Sequence, residues 1–388
     1  MAMSLLRAVV SVAALLLSSF ISCVALNVSQ PYRIHFLLPI LVPAALAFHT
    51  INDINLALPG LGLGIVWGHA TTIHVTNIIS VLYIERWVLH PTTHPKPWDL
   101  HAAYKIWSNP QLLHTHRAVP GARMMPTRPS RTEFLTRRLF GLLVLFLVAR
   151  YMMAPLLPGA FEPLTVTDFS VTKQSYIRRV IMGSEITVRE TLLRCVLAVH
   201  WIWSNNAALH LFHTVVAILF SCVLRWDEPW EWPLLFGNPA EAYTIRYFWS
   251  RFWHRLVYRP YKNYGLWVSR RVFHLPRGGT GEKITVLSLV FLLSGVVHSL
   301  ISWQMGRCEA WRDTLWFFMN AIAAMVEMVA ISCWTAYIER NKMLIEWSRV
   351  AEKWGVYKAI GFLWVFGFMF WSVPKWHYGK IYCAANRL

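Results

Sequence analysis

Three stretches near the C-terminal end, residues 285–303, 314–334 and 357–373, each approach the length of a bilayer crossing, and together they carry only two charged side chains, Glu327 and Lys358. A helix needs about 20 mostly apolar residues to span the hydrocarbon core of a membrane. Further apolar runs occupy residues 9–26, 36–48, 54–84, 140–157 and 192–224. The run at 36–48 contains Pro39 and Pro43 and reads as a short, kinked or re-entrant piece. The run at 54–84 is broken by Pro59 and by a polar stretch from His69 to Thr76, so its ends are not fixed by pattern alone. The run at 192–224 holds a polar knot, Ser204-Asn205-Asn206, and fits one long span or a bent pair. Charged residues make up 14% of the 388-residue chain, against about a quarter in a soluble domain. With 21 Trp, 21 Phe and 14 Tyr, disorder is excluded as well. The predicted fold is all-α: a polytopic transmembrane helical bundle of roughly eight spans, forming a single integral-membrane domain over residues 1–388.

The charge that is present is lopsided. Lys and Arg number 37 against 19 Asp and Glu, a net +18. Residues 85–138 hold nine basic against three acidic side chains, and residues 225–283 hold ten against five. Such a bias places loops on the cytosolic side, facing anionic lipid and anionic cofactors. The apolar content argues against nucleic acid as the partner. The run at 9–26, preceded by Arg7, reads as an uncleaved span, with a signal peptide as the alternative.

Several chemistries are excluded by missing patterns. The five Asp residues, 53, 99, 168, 227 and 313, never fall within four positions of each other, so no Asp-rich Mg²⁺-diphosphate site exists. There is no P-loop and no GxSxG. The six cysteines include no CxxC pair. His90 and His94 form an HxxxH and His210 and His213 an HxxH, but the adjacent His-His pairs of a di-iron box are missing. No metal is expected.

The sharpest positive signal is His298, the one titratable side chain in the apolar stretch 285–303. Ionisable groups at membrane depth are costly and usually functional. A dry surrounding favours the neutral imidazole, the state a general base needs. Ser294 lies one turn earlier on the same face and can orient the ring, and Gly295 permits close helix approach. The competing reading is a histidine that hydrogen-bonds between helices. The second signal is the segment Phe248-Trp249-Ser250-Arg251-Phe252-Trp253-His254-Arg255. Read as a helix, it places Tyr247, Arg251, His254 and Tyr258 on one face and Trp249 and Trp253 on another. Arg251, Arg255, Arg259 and Lys262 can hold phosphates by charge-assisted hydrogen bonds. A basic aromatic helix that binds lipid headgroups at the interface is the alternative. Glu327, inside its apolar stretch, fits a packing contact or a site equally.

Three linked motifs then point to a family. The run Trp232-Pro233-Leu234-Leu235-Phe236-Gly237-Asn238-Pro239, the run from Tyr243 to His254, and Leu293-Ser294-Gly295-Val296-Val297-His298 occur in this order. They resemble the wax synthase-like branch of the membrane-bound O-acyltransferases, which reads P-L-F-G-x-P, then S-L-R-x-F-W-x-R-x-W followed by His or Asn, then S-G-x-x-H. The resemblance covers about residues 230–300. Tyr243-Thr244-Ile245 departs from the S-L-R start, Ser250 replaces a common Gly, and His254 stands where plant wax synthases often carry Asn. The fungal members that this chain resembles commonly carry His there.

The resemblance implies an acyl-CoA-dependent O-acyltransferase of an endoplasmic-reticulum membrane, moving acetyl from acetyl-CoA to a hydroxyl of a terpenoid or meroterpenoid in secondary metabolism. It implies a catalytic pair, His298 and His254, and a donor-binding set of Arg251, Arg255 and Arg259 with Trp249 and Trp253 beside them. The partners are then acyl-CoA, a small apolar alcohol and membrane lipid. The chemistry of the residues agrees: acyl transfer needs a base for the alcohol proton, a donor for the developing oxyanion and a site that excludes water. The alternatives are a wax ester synthase acting on long-chain alcohols and, from a different class, a non-catalytic membrane transporter.

Overall fold

The computed structural model describes residues 2–57, 62–90, 97–119, 121, 123–156, 161 and 163–387. Among them there is no strand. Among the described residues seven helices are long and apolar enough to cross a membrane: Met3–Asn27, Gln30–His49, Leu63–Ile84, Val188–Val223, Thr280–Gln304, Trp311–Glu339 and Val356–Ala385. Their outward faces carry large exposed apolar side chains such as Leu16, Phe20, Val42, Leu211, Trp303 and Leu363, as lipid contact requires. The chain is an all-helical, multi-pass integral membrane protein.

Residues 36–48 form the helix Leu37–His49 with Pro43 inside it. The run at 54–84 divides into Ile51–Ala57 and Leu63–Ile79, the latter continued by a π-turn over Ser80–Ile84, while Pro59 lies outside the described residues. The polar knot does not break the helix. Ser204 and Asn205 turn back onto the Trp201 carbonyl at 3.3 and 2.8 Å, and Val188–Ile218 stays one continuous helix. The run expected to span at 140–157 belongs to the helix Arg131–Val148 and the π-turn Ala149–Met153. This helix is not among the seven, because its first two turns carry Arg131, Glu133, Arg137 and Arg138. Leu157 lies outside the described residues.

The residues gather into two compact units, each assembled from separated stretches of chain. The first comprises residues 1–120 and 256–322. Here the helix Ala2–Asn27 packs on Leu37–His49 through serines: Ser11 donates to the Ala47 carbonyl at 2.9 Å and Ser18 to the Ile40 carbonyl at 2.7 Å. Small hydroxyl residues let helix backbones approach and satisfy one another where no water is available. The C-terminal end of Thr280–Gln304 is pinned in the same way, by Asn52 donating to the Gln304 carbonyl at 2.6 Å and Gln304 donating to the His49 carbonyl at 2.6 Å.

The second unit comprises residues 121–255 and 323–388. The helices Val188–Ile218 and Val356–Ala385 enclose a core of Phe161, Phe169, Leu193 and Tyr378. Beside it Arg194 is fully buried, with its guanidinium 4.8 Å from the Tyr176 ring centroid and 5.5 Å from those of Phe370 and Tyr378. One of its nitrogens donates to the Lys173 carbonyl at 2.8 Å. Aromatic faces thus replace water around this cation.

Candidate functional site

In the first unit, His298 sits in the helix Thr280–Gln304 and meets a second histidine. His69 Nε2 lies 3.3 Å from His298 Nδ1, with the rings edge to face at 4.5 Å between centroids. The His298 ring also stacks on Phe317, at 4.6 Å between centroids and 24°. Two glycines make this close packing possible. A Cβ at Gly68, beside His69, would come within 3.2 Å of Ile301. A Cβ at Gly295 would come within 2.7 Å of the Thr314 backbone and 3.0 Å of Phe317. A larger residue at Gly295 would push apart the two helix backbones beside the imidazole, whereas one at Gly68 would press on the Ile301 side chain. Ser294, expected to orient the ring, donates instead to the Val290 carbonyl at 2.8 Å. Ser299, directly after His298, donates to the Ala310 carbonyl at 2.8 Å and meets Thr314 Oγ1 at 2.7 Å, which ties down the His298 turn.

His74 occupies the same helix as His69 and is a different case. Its Nδ1 accepts from the Trp107 indole at 2.8 Å and its Nε2 meets Ser18 Oγ at 2.8 Å. Both ring nitrogens are spent on packing, the common fate of a buried histidine.

The motif segment lies in the second unit and is not the regular amphipathic helix expected from its spacing. It forms one α-turn, Ile245–Tyr247, and one π-turn, Phe248–Phe252, after which Trp253 is extended. The proposed alignment of His254 with Tyr247 and Arg251 therefore does not form. Long-range polar contacts decide the geometry. Glu327 caps the start: Ile245 N–H donates to its Oε2 at 2.6 Å, Arg246 N–H to its Oε1 at 3.2 Å, and the Trp364 indole to Oε2 at 2.8 Å. A carboxylate at a helix start satisfies orphan N–H groups and complements the dipole. Arg123 holds the other end, bonding the carbonyls of Leu235 at 2.6 Å, of Phe252 at 3.3 Å, and of Arg251. Gly237 N–H donates to the Phe252 carbonyl at 2.8 Å, which joins the first motif to the second.

Trp253 is buried and stacks on Trp201 at 5.4 Å and 8° and on Phe248 at 5.4 Å and 21°. Trp249 lies half-buried, 5.6 Å from the Trp253 ring. His254 follows, with its ring edge to face on Phe236 at 6.0 Å. Glu327 is thus a positioning contact for the motif.

The basic residues divide by environment. In the second unit Arg251 is exposed, its guanidinium 3.9 Å from the Tyr247 ring centroid, and Arg255 donates to the Gly121 carbonyl at 3.1 Å. Burial pulls the Arg123 guanidinium below its ordinary pKa, and the nearby Arg255 charge adds to the shift. In the first unit Arg259 is buried: it pairs with Glu85, bonds Asn77 Oδ1, and donates to the Pro110 carbonyl at 2.7 Å. Burial pulls its pKa down and Glu85 opposes that shift. Arg117, Tyr258 and Lys262 line a cavity of about 240 Å³ next to the Arg259–Glu85 pair.

Sequence reasoning singled out His298 and Glu327 but missed His69, which lay inside a polar run without contrast. The available signal was Gly64-x-x-x-Gly68 immediately before it, a pattern of close helix approach. Of the other flagged histidines, His90 faces Asp99 at 3.3 Å and His213 tilts against Trp232 at 5.4 Å, while His94 lies outside the described residues. Among the described residues no group of three or more His, Cys, Asp or Glu is placed to hold a metal ion.

Residues 232–320 match the Membrane bound O-acyl transferase family. This stretch contains all three motifs, His254 and His298. The chain is 29% identical over 180 residues to the Acetyltransferase spyB of Aspergillus fumigatus, covering 45% of this chain and 30% of that protein. It is 30% identical over 177 residues to the Acetyltransferase nanB of Aspergillus nanangensis, covering 45% and 41% of the two chains. It is 26% identical over 226 residues to the Acetyltransferase ple2 of Rhodocybe pseudopiperita, covering 58% and 56%. The chain thus spans from under a third to just over half the length of these relatives. No solved structure matches it.

Proposed function

We propose that this protein is an acyl-CoA-dependent O-acyltransferase of the endoplasmic reticulum membrane, transferring acetyl from acetyl-CoA to a hydroxyl of a small apolar terpenoid or meroterpenoid alcohol. The observation that carries the reading is His298: a histidine in the third family motif, set in a membrane-crossing helix with its ring in contact with both His69 and Phe317. The family match over residues 232–320 and the similarity to fungal proteins named acetyltransferases support the reaction class.

In this reading the alcohol oxygen attacks the thioester carbonyl while His298 takes the hydroxyl proton. The new C–O bond forms and charge gathers on the carbonyl oxygen. When the C–S bond breaks, the departing CoA thiolate takes the proton from His298, leaving ester and CoA thiol. The surrounding span keeps water from competing for the acyl group. His254 is assigned the hydrogen bond to the thioester oxygen or to a CoA group. Arg251 and Arg255 are assigned to the CoA phosphates, with Trp249 and Trp253 fixing the segment that carries them. Arg259, neutralised by Glu85, supports the fold, and Arg117 and Lys262 add positive charge to the cavity beside it. The basic segments 85–138 and 225–283 face the cytosol, where acyl-CoA is available.

The test is ester formation by microsomes carrying the protein, given labelled acetyl-CoA and a panel of hydroxylated terpenoids. Labelled ester above that of microsomes lacking the protein is the expected result. Ester formed only from long-chain acyl-CoA and fatty alcohols would overturn the donor and acceptor assignments, and no ester from either pair would overturn the enzyme reading.

A further inference from the structure

We infer that His69 is a positioning residue for His298: it fixes the ring tautomer so that the lone pair of His298 is on Nε2, and it takes up part of the charge when His298 is protonated. The inference rests on the reading of His298 as the base.

Which ring nitrogens can donate is fixed by their neighbours. His69 Nδ1 lies 2.8 Å from the Ile65 carbonyl, one turn earlier on its own helix. A carbonyl only accepts, so Nδ1 must carry the proton. Neutral His69 then has its lone pair on Nε2, the nitrogen that faces His298 Nδ1 at 3.3 Å. For that contact to be a hydrogen bond, His298 Nδ1 must donate. A neutral His298 therefore keeps its lone pair on Nε2, the nitrogen that can accept a proton from an alcohol. Once it accepts one, Nδ1–H of the imidazolium becomes a charge-assisted donor to His69. The 3.3 Å separation is long for such a bond, and catalytic contacts of this kind commonly tighten only when the reacting complex forms.

A neutral imidazole suits this place better than the carboxylate that orients the histidine of a serine hydrolase. A carboxylate at membrane depth would add a second charge to desolvate, whereas the His69–His298 pair is neutral at rest and carries a single positive charge during transfer. The backbone is shaped for the contact. Gly68 lets the His69 helix lie close against Ile301, one turn beyond His298, where a Cβ would come within 3.2 Å of the Ile301 side chain. His74, on the same helix, has both nitrogens engaged with Trp107 and Ser18, so the polar run divides into a packing histidine and one aimed at His298.

The test compares His69→Leu, His69→Asn and His69→Gln in microsomes, with protein accumulation measured alongside. A glutamine carbonyl reaches the place of Nε2 and can accept from His298; an asparagine carbonyl reaches only as far as Nδ1. Leu and Asn should lower kcat roughly 10- to 100-fold, the scale of losing an orienting partner of a functional histidine. KM for donor and alcohol should stay unchanged, and Gln should recover most of the rate. Wild-type kcat in His69→Leu, or an equal loss in all three variants that tracks reduced accumulation, would overturn the inference. His298→Ala separates the two claims. If it is inactive while His69→Leu is fully active, only the role of His69 falls. If it is fully active, the base reading falls and this inference with it.

Discussion

Single residues in this protein do different work depending on whether their charge is already answered. Arg259 and Arg251 lie eight positions apart in a basic segment and look alike in the sequence. Arg259 is buried against Glu85, Asn77 and the Pro110 carbonyl, whereas Arg251 is exposed. Removing one partner of a buried pair leaves an uncompensated charge and costs about 3–5 kcal/mol. Arg259→Met should therefore reduce accumulation and thermal stability in detergent while leaving the donor KM of the surviving protein unchanged. Arg251→Gln should do the reverse. A charged hydrogen bond contributes roughly 1.5–3 kcal/mol, so its loss should raise the acyl-CoA KM about tenfold or more. A stable Arg259→Met protein with a raised donor KM would contradict this division. His298 was legible because nothing else in its stretch can titrate. The environment of Arg259 was not, because Glu85 and Asn77 lie more than 170 positions away in the chain.

At the scale of elements, the motif segment 244–255 shows where periodicity fails. Its spacing suits a helix, yet the chain makes one α-turn and one π-turn and then extends. The deciding contacts come from Glu327, on a helix some eighty residues later, and from Arg123, well before it. No local pattern carries that information. Most of the spans, by contrast, were legible, because a continuous apolar run in lipid has to satisfy its own backbone; the run at 140–157 was not, since its helix begins among Arg131, Glu133, Arg137 and Arg138. Glu327 receives two backbone N–H groups and the Trp364 indole. Each buried donor left without an acceptor costs roughly 1–3 kcal/mol. Glu327→Ala should lower the melting temperature of the detergent-solubilised protein clearly, and Glu327→Gln, which keeps one acceptor oxygen, should lower it less. An alanine variant that melts like the wild type would show that the cap is not what holds the segment.

For the molecule as a whole, the three family motifs are distributed over two compact units, His254 with residues 121–255 and His298 with residues 256–322. The sequence made their order readable but not this division, since each unit is closed by stretches far apart in the chain. The central claim is that His298 moves the proton and His254 supplies a hydrogen bond, and the two roles respond differently to asparagine. An amide can donate but cannot accept a proton at neutral pH. The most direct measurement is the rate of ester formation by His298→Ala, His298→Asn, His254→Ala and His254→Asn, each in microsomes at matched protein level. Removing a general base typically costs about 10²–10⁴ in rate, so both His298 variants should be inactive by that margin. His254→Ala should be impaired and His254→Asn should retain part of the activity. An active His298→Asn enzyme beside an inactive but well-accumulated His254→Asn enzyme would contradict the account.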